Sequence, residues 1–270
     1  MIAALGQRLY DALVLRSRLG ELDALISAAK ERSYRFLSVT EFHDAVEGAR
    51  ELPARTLILR HDVDWDLRTT RAIFELECRH NISASWYFRL VTADIALMRR
   101  MAAAGHDVSY HFEELATLGI RKGAASADEL CALIPQAQDE FCRNLAQMRA
   151  RTGLPMRVVA SHGDFLNRRL GVANWVLVDS DIRRRMDIVA EAYDEKLANP
   201  VSARFADRGG PSYWRTGNPR RAVERLEPVI YILLHPSNWD SNALAAAWHV
   251  TGRLKAEMIY QFRKRRWAPP

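Results

Sequence analysis

Histidine and aspartate side chains follow directly after four apolar runs of this 270-residue chain. The runs end at Asp62 with Asp64, at His111, at His162 and at His235. In a parallel α/β barrel the carboxyl ends of the strands meet at one face, where catalytic groups gather. Imidazole and carboxylate groups serve as general acids and bases and as ligands for divalent metals. The spacing therefore predicts one polar site that is built from four strand ends.

Asp62 and Asp64 stand two residues apart, so an extended backbone places both carboxylates on one face, roughly 6.6 Å apart. Two like charges in a cleft are costly unless a cation neutralises them or one carboxyl group takes a proton. This pair therefore indicates a metal site or a proton-transfer role. The alternative is that Asp64 or Asp66 caps the helix that begins after them.

Three histidines at strand ends are candidate site residues. His111 is either a metal ligand, with Glu113 on the same face if the chain stays extended, or a hydrogen-bonded core histidine. His162 precedes Gly163 in a loop that must bend tightly. His235 ends a very apolar strand, and its near-neutral pKa suits a general acid or base.

Two tryptophans, Trp65 and Trp239, closely follow predicted site residues. An aromatic face beside a polar site fits stacking against a sugar ring, so both are candidate substrate-binding residues. The alternative for each is packing in the core or at its rim.

Short apolar runs alternate with amphipathic helical stretches from residue 55 onward, which is typical of parallel βαβ units. Seven runs are predicted strands, and seven parallel strands indicate a barrel. They are Thr56–Leu59, Ala84–Phe88, Asp107–Tyr110, Met156–Ala160, Asp187–Ala192, Ser212–Trp214 and Val229–Leu234. Helices are predicted at Leu67–Arg79, Ile95–Ala104, Ala127–Thr152 and Pro219–Leu226. We expect an α/β barrel domain over residues 55–240, preceded by an N-terminal helical extension, residues 1–54.

Composition excludes several classes of protein. With 49% hydrophobic and 27% charged residues, the chain is neither disordered nor collagen-like. No apolar run is long enough to span a bilayer, and no secretory signal is recognisable. The three cysteines have no C-x-x-C spacing, which favours free thiols and a cytoplasmic protein.

The net charge of +6 admits an anionic partner. Two short basic runs, 183–185 and 263–266, lack any nucleic-acid recognition motif, so no nucleic-acid partner is expected. Residues 241–270 are predicted to form a basic amphipathic helix, which would either contact the inner face of a membrane peripherally or dock on the barrel.

Taken in order, the strand-end motifs resemble those of the polysaccharide deacetylase family (NodB-homology, carbohydrate esterase family 4), in a divergent Asp-x-Asp variant. The matching segments, over about residues 55–240, are Leu-Arg-His61-Asp62-Val-Asp64, Gly105-His-Asp-Val-Ser-Tyr-His111, Ser161-His-Gly163 and Ile-Leu-Leu-His235-Pro. The resemblance implies a distorted (β/α) barrel that removes N- or O-acetyl groups from sugars with a divalent metal, most often zinc.

By this resemblance Asp62 is the general base and Asp64 a metal ligand, while His235 is the general acid. His111 matches the first of two metal-binding histidines, but Leu115 occupies the place of the second. The family's Arg-x-Pro-Tyr motif is also absent.

His162 is the predicted replacement ligand, with Glu113 next. Glu113 is also a candidate substrate contact.

The function that these residues and the resemblance predict is metal-dependent deacetylation of a sugar in bacterial cell-envelope polysaccharide or lipopolysaccharide biosynthesis. The expected substrate is an acetylated saccharide, with phosphorylated and lipid-linked forms included. Two alternatives stay open: an inactive glycan-binding pseudoenzyme on the same barrel, and a related hydrolase of non-peptide C–N bonds.

Overall fold

Eight parallel strands form one sheet in the computed structural model, which describes residues 16–208, 213–241, 247, 251, 252, 255 and 257–262. The strands are β1 (Arg35–Leu37), β2 (Thr56–Val63), β3 (Ser85–Phe88), β4 (Asp107–Phe112), β5 (Val158–Ser161), β6 (Ala190–Glu191), β7 (Ala203–Ala206) and β8 (Val229–Leu234). Their order across the sheet is β6-β5-β4-β3-β2-β8-β7, and β1 pairs with β2. The predicted α/β class and distorted barrel are confirmed.

Helices connect the strands, as parallel pairing requires. They are α1 (Leu19–Glu31), α2 (Val39–Val46), α3 (Leu67–His80), α4 (Ile95–Ala103), α5 (Glu114–Lys122), α6 (Ala127–Cys131), α7 (Ile134–Thr152), α8 (Phe165–Leu170), α9 (Ser180–Met186), α10 (Glu195–Ala198) and α11 (Pro219–Glu224). Asp66 caps α3 by accepting hydrogen bonds from the backbone N–H groups of Arg68 and Thr69. The capping role therefore belongs to Asp66, and the Asp64 side chain is left for the site.

Strand β2 is the centre of the sheet, and all eight of its residues are buried. Its side chains alternate between two cores, as the period of two requires. Leu57 and Leu59 pack into the larger core beneath the helices, whereas Ile58 packs into the barrel interior with Tyr87 and Tyr231. The same alternation puts Arg60 and Asp62 on the interior face.

On the opposite face of β2 lies a buried polar cluster. His61 Nε2 is 2.7 Å from Oε1 of Glu77 in α3, and the His61 ring stacks on Trp86. The Trp86 indole N–H donates to His106 Nδ1 at 3.3 Å. These contacts give His61 and His106 structural partners away from the site.

The N-terminal segment contributes a strand as well as helices. Leu37 of β1 and Val39 and Phe42 of α2 are buried in the interior core. The Thr40 hydroxyl donates to Asp107 Oδ2 at 2.7 Å, which joins α2 to the start of β4. Residues 1–15 of the predicted extension lie outside the described part of the chain.

Two predicted elements were wrong. The sixth predicted strand does not form: residue 212 lies outside the described residues, Tyr213 has no strand geometry, and Trp214 makes an isolated antiparallel bridge with Asp207. Strand β7, Ala203–Ala206, takes its place, and its only buried side chain is Phe205, so no apolar run announces it. The helix predicted at 127–152 is two helices, and Pro135 lies in the first turn of the second, where a proline is tolerated.

The three cysteines are free, and none is fully buried. In the C-terminal segment, Tyr260 is buried and its hydroxyl donates to the Ala124 carbonyl at 2.9 Å, while Met258 and Phe262 are exposed. The basic run 263–266 lies outside the described residues. Among the described helices, none combines the length and apolar character that crossing a membrane needs.

Candidate active site

The four strand ends meet at one edge of the barrel. Asp62 is in β2 and His111 is in β4. His162 directly follows β5, and His235 directly follows β8. Because all pairings are parallel, these carboxyl ends share an edge, as predicted from the sequence. His111 Nε2 lies 3.5 Å from Asp62 Oδ2 and 3.5 Å from Asp64 Oδ1, which joins β2 to β4 across β3.

Asp64, His111 and His162 form a compact group of three potential metal ligands. Asp64 Oδ1 is 3.5 Å from Nε2 of His111 and 3.6 Å from Nε2 of His162. Two histidines and a carboxylate with an open fourth position are a usual ligand set for catalytic zinc.

The outer nitrogen of each imidazole is held by another group. His111 Nδ1 donates a hydrogen bond to the carbonyl oxygen of Ala160 at 3.0 Å, which leaves Nε2 facing the carboxylates. His162 Nδ1 lies 3.0 Å from Glu113 Oε2. Such partners fix the tautomer and orientation of metal-binding histidines.

Arg89 in turn holds Glu113. Its guanidinium bonds both oxygens of Glu113, at 2.7 and 2.8 Å, and donates to the backbone carbonyl of Asp64 at 3.1 Å. Burial opposes ionisation of Glu113, but His162 and Arg89 lower its pKa to about 2. Glu113 therefore holds His162, and the predicted substrate contact is instead a partner of a site histidine.

The residues fit a divalent cation. Asp64 Oδ1 is buried, and no hydrogen-bond partner is found for it among the described residues. Burying such an oxygen is costly unless something satisfies it. Although burial works against the charged form, the neighbouring His162 and His111 hold the pKa of Asp64 well below its ordinary value. An ionised oxygen that faces two imidazole nitrogens is the environment of a metal ligand.

Asp62 has different surroundings, although it is two residues away. Arg60 donates to both of its carboxylate oxygens, from Nε to Oδ1 and from Nη2 to Oδ2, each at 2.8 Å. The pair is almost completely buried. Burial raises the pKa of Asp62, but the Arg60 guanidinium, together with His111 and His235, more than offsets this and holds the pKa below its ordinary value.

His235 is held by a buried aspartate that the sequence did not single out. Asp207 accepts from His235 Nδ1 at 2.7 Å and from the His235 backbone N–H at 2.8 Å. Burial disfavours the imidazolium, yet Asp207 and the carboxylates of Asp64 and Asp62 raise the pKa of His235 to about 9. With Nδ1 engaged, Nε2 is the nitrogen left for a reacting partner.

The two tryptophans predicted to stack on a sugar, Trp65 and Trp239, differ in exposure. Trp239 is fully buried, and its indole N–H donates to Asp207 Oδ2 at 2.8 Å, so its predicted role in sugar stacking is wrong. Trp65 is half-buried just beyond the end of β2.

Leu115 stands at the place of the family's second histidine, but its side chain is buried in the core and offers no ligand atom. His162 instead lies beside Asp64.

Three residues that sequence reasoning missed hold the site: Arg60, Arg89 and Asp207. Arg60 carried a usable signal, because it stands two residues before Asp62 and so faces the same side of the strand. Arg89 and Asp207 carried none, since their partners Glu113 and His235 are 24 and 28 residues away in sequence.

Neither a family model nor a curated protein matches the sequence. Among solved structures, the chain is similar to IcaB from Ammonifex degensii, at 15% identity and a TM-score of 0.48, over 84% of this chain and 88% of that chain. It is similar to the Streptococcus pyogenes deacetylase PplD, at 13% and 0.41, over 80% and 82%. A CE4 family pseudoenzyme from Bacillus anthracis is similar at 14% and 0.39, over 74% and 60%.

CE4, the family of the Bacillus anthracis pseudoenzyme, is carbohydrate esterase family 4, which the sequence motifs resemble. Identities of 13–15% concern the fold alone. The function is therefore argued from the side chains of this chain.

Proposed function

We propose that this protein is a metal-dependent deacetylase that hydrolyses an N- or O-acetyl group on a saccharide. One observation carries the proposal: Asp64 Oδ1 is buried, has no hydrogen-bond partner among the described residues, and faces the Nε2 atoms of His111 and His162 at 3.5 and 3.6 Å. Asp64, His111 and His162 would hold the cation, and zinc suits this donor set. When bound, a divalent cation polarises an acyl oxygen and lowers the pKa of water.

Asp62 is the proposed general base. Its Oδ2 lies 3.5 Å from His111 Nε2, at the edge of the proposed metal site, and Arg60 fixes the plane of its carboxylate. During hydrolysis the water oxygen bonds to the acyl carbon, and Asp62 takes the proton that water loses.

His235 is the proposed general acid. Its raised pKa, about 9, keeps the imidazole protonated at neutral pH, and Asp207 fixes Nδ1. Nε2 then gives its proton to the leaving nitrogen or oxygen as the acyl bond breaks. The products are acetate and the free amine or alcohol of the sugar.

Acetate release tests the proposal. With purified, zinc-loaded protein and N-acetylglucosamine oligomers, we expect Asp62→Asn and His235→Ala each to lower turnover by about 10²–10⁴-fold. Asp240→Asn changes a carboxylate that pairs with Arg68 at the surface, and it is the matched control. Acetate release that stays at background for the wild type on every acetylated saccharide would reject the proposal.

A second candidate is a glycan-binding pseudoenzyme. The observation that favours it is the Arg60–Asp62 pair, because both oxygens of the proposed base are already engaged and its pKa is lowered. A pseudoenzyme would bind the saccharide equally well as wild type and as Asp62→Asn, with no acetate released by either. A hydrolase of other non-peptide C–N bonds would release product from a panel of non-sugar amides instead.

The proposal extends to the cellular setting of the protein. A role in bacterial envelope polysaccharide or lipopolysaccharide biosynthesis, a phosphorylated or lipid-linked substrate, and peripheral membrane contact from the cytoplasm each agree with a saccharide deacetylase. Activity on matched neutral and lipid-linked acetylated saccharides would separate these settings.

A further inference from the structure

Two exposed aromatic side chains lie together beyond the site residues. Trp175 is 52% exposed and Tyr193 is 39% exposed, and their ring centroids are 5.9 Å apart with planes inclined at 48°. Among the described residues, Phe262 in the C-terminal segment is the other large aromatic that is exposed to this degree. Exposed aromatic surface has a solvation cost, so a paired patch beside a site indicates a binding role.

Trp175 is tied to the loop that carries His162. Its neighbour Asn174 is buried and donates from Nδ2 to the backbone carbonyl of His162 at 2.6 Å. The Asn174 side-chain oxygen accepts from the backbone N–H of Ala116 in α5 at 3.0 Å. The position of Trp175 is therefore fixed relative to the proposed metal ligand.

Tyr193 is tied to the proposed general base. The Arg60 guanidinium that bonds Asp62 stacks against the Tyr193 ring, with its carbon 4.4 Å from the ring centroid. The Tyr193 backbone N–H donates to Glu191 Oε2, and the Ser161 backbone N–H donates to Glu191 Oε1, each at 2.7 Å. Buried Glu191 thus joins the ends of β5 and β6 and holds the Tyr193 backbone beside them.

We infer that Trp175 and Tyr193 form a stacking platform for a pyranose ring next to the acetylated sugar unit. This inference rests on the proposed function and adds that the substrate is an oligosaccharide. A pyranose ring presents C–H groups from its faces, and an aromatic ring offers them apolar area while the sugar hydroxyls stay in water. The platform takes over the stacking role that Trp239 cannot perform.

The test compares a long and a short substrate in Trp175→Ala. We expect kcat/KM for tetra-N-acetylchitotetraose to fall about tenfold, a common cost of truncating an interfacial tryptophan, while kcat/KM for 4-nitrophenyl acetate stays unchanged. Trp175→Phe should recover part of the loss. Phe262→Ala removes an equally exposed aromatic from the C-terminal segment, and it is the matched control.

Equal losses on both substrates, or no loss on the tetramer, would overturn the platform. Calorimetric binding of the tetramer to the zinc-loaded Asp62→Asn protein, with and without Trp175→Ala, separates this failure from that of the proposed function. Tetramer binding that weakens about tenfold without Trp175 supports the platform even if the wild type releases no acetate. Absent binding, or binding that Trp175→Ala leaves unchanged, contradicts it.

Discussion

Asp62 lies in β2 and Asp64 directly follows its last residue, yet the two carboxylates have different partners and different proposed roles. Both oxygens of Asp62 accept from Arg60, so its charge is balanced within the protein. In the described part of the chain, one buried oxygen of Asp64 has no hydrogen-bond partner and faces two imidazoles. The Asp62 carboxylate can therefore stay ionised without a metal ion, whereas a bound metal ion would stabilise the Asp64 carboxylate.

The strand-end residues of the site could be predicted, because a polar residue after an apolar run is visible in sequence. Their partners could not: the pairing of Asp207 with His235, and of Arg89 with Glu113, depends on how distant strands align. Trp175 and Tyr193 belong to the same class, since an exposed aromatic looks like any other until its neighbours are known.

Glu113→Gln tests the layer behind the proposed metal ligands. Because Glu113 orients His162 and carries a negative charge, we expect its neutralisation to weaken zinc binding about 10–100-fold. Competition with a chelating dye measures this affinity. Glu224→Gln is the control, since it neutralises an exposed carboxylate that pairs with Arg220 in α11. Equal affinities for the wild type and Glu113→Gln would contradict the assigned role.

Asp207→Asn tests the histidine partner. The amide cannot stabilise the His235 imidazolium as a carboxylate does, so the pKa of His235 should fall and the proposed acid should weaken. We expect kcat for acetate release from the N-acetylated oligosaccharide to drop by about 10²-fold, with zinc content unchanged. A variant with wild-type kcat would show that the Asp207–His235 pair is structural only.

At the scale of elements, β2 connects the two faces of the molecule. Its interior side carries Arg60 and Asp62, while its other side carries His61, which pairs with Glu77 of α3. A shift of one residue would exchange these sets, so the burial of both faces fixes the register. Long apolar strands and capped helices were predictable, because apolar runs and capping residues are visible in the sequence. Short edge strands such as β7 were not, since only their pairing with a neighbouring strand defines them.

Asp107→Asn tests how the N-terminal segment is fastened to the barrel. Asp107 is half-buried at the start of β4 and accepts from the hydroxyls of Thr40 and Ser85. Burial raises its pKa, with those two hydrogen bonds opposing. A raised folded pKa contributes stability that is fully present below the unfolded value, near 3.9, and is lost as pH rises through the folded value.

Asparagine avoids this loss because it is neutral at every pH and still accepts from Thr40. From about pH 4 to about pH 7, the free energy of unfolding of Asp107→Asn should therefore rise relative to that of the wild type. Urea denaturation at several pH values measures the difference. Asp181→Asn, at an exposed position in α9, is the control. A difference that is constant or shrinks with pH would contradict the burial argument.

At the scale of the whole molecule, the net charge of +6 is not concentrated in a free arginine run at 183–185. Arg183 pairs with Asp194, and Arg184 and Arg185 both lie near Asp181. This run therefore gives no support to an anionic substrate. The site edge instead combines buried carboxylates and imidazoles with an exposed aromatic pair, which suits a neutral sugar chain.

The central claim is that a cation held by Asp64, His111 and His162 is required for deacetylation. The most direct measurement titrates chelator-stripped protein with zinc while acetate release from tetra-N-acetylchitotetraose is recorded. We predict no release without zinc, a rise that ends at one equivalent per chain, and none at any zinc level for His162→Ala. Full activity in the stripped protein, or undiminished zinc-dependent activity in His162→Ala, would contradict the claim.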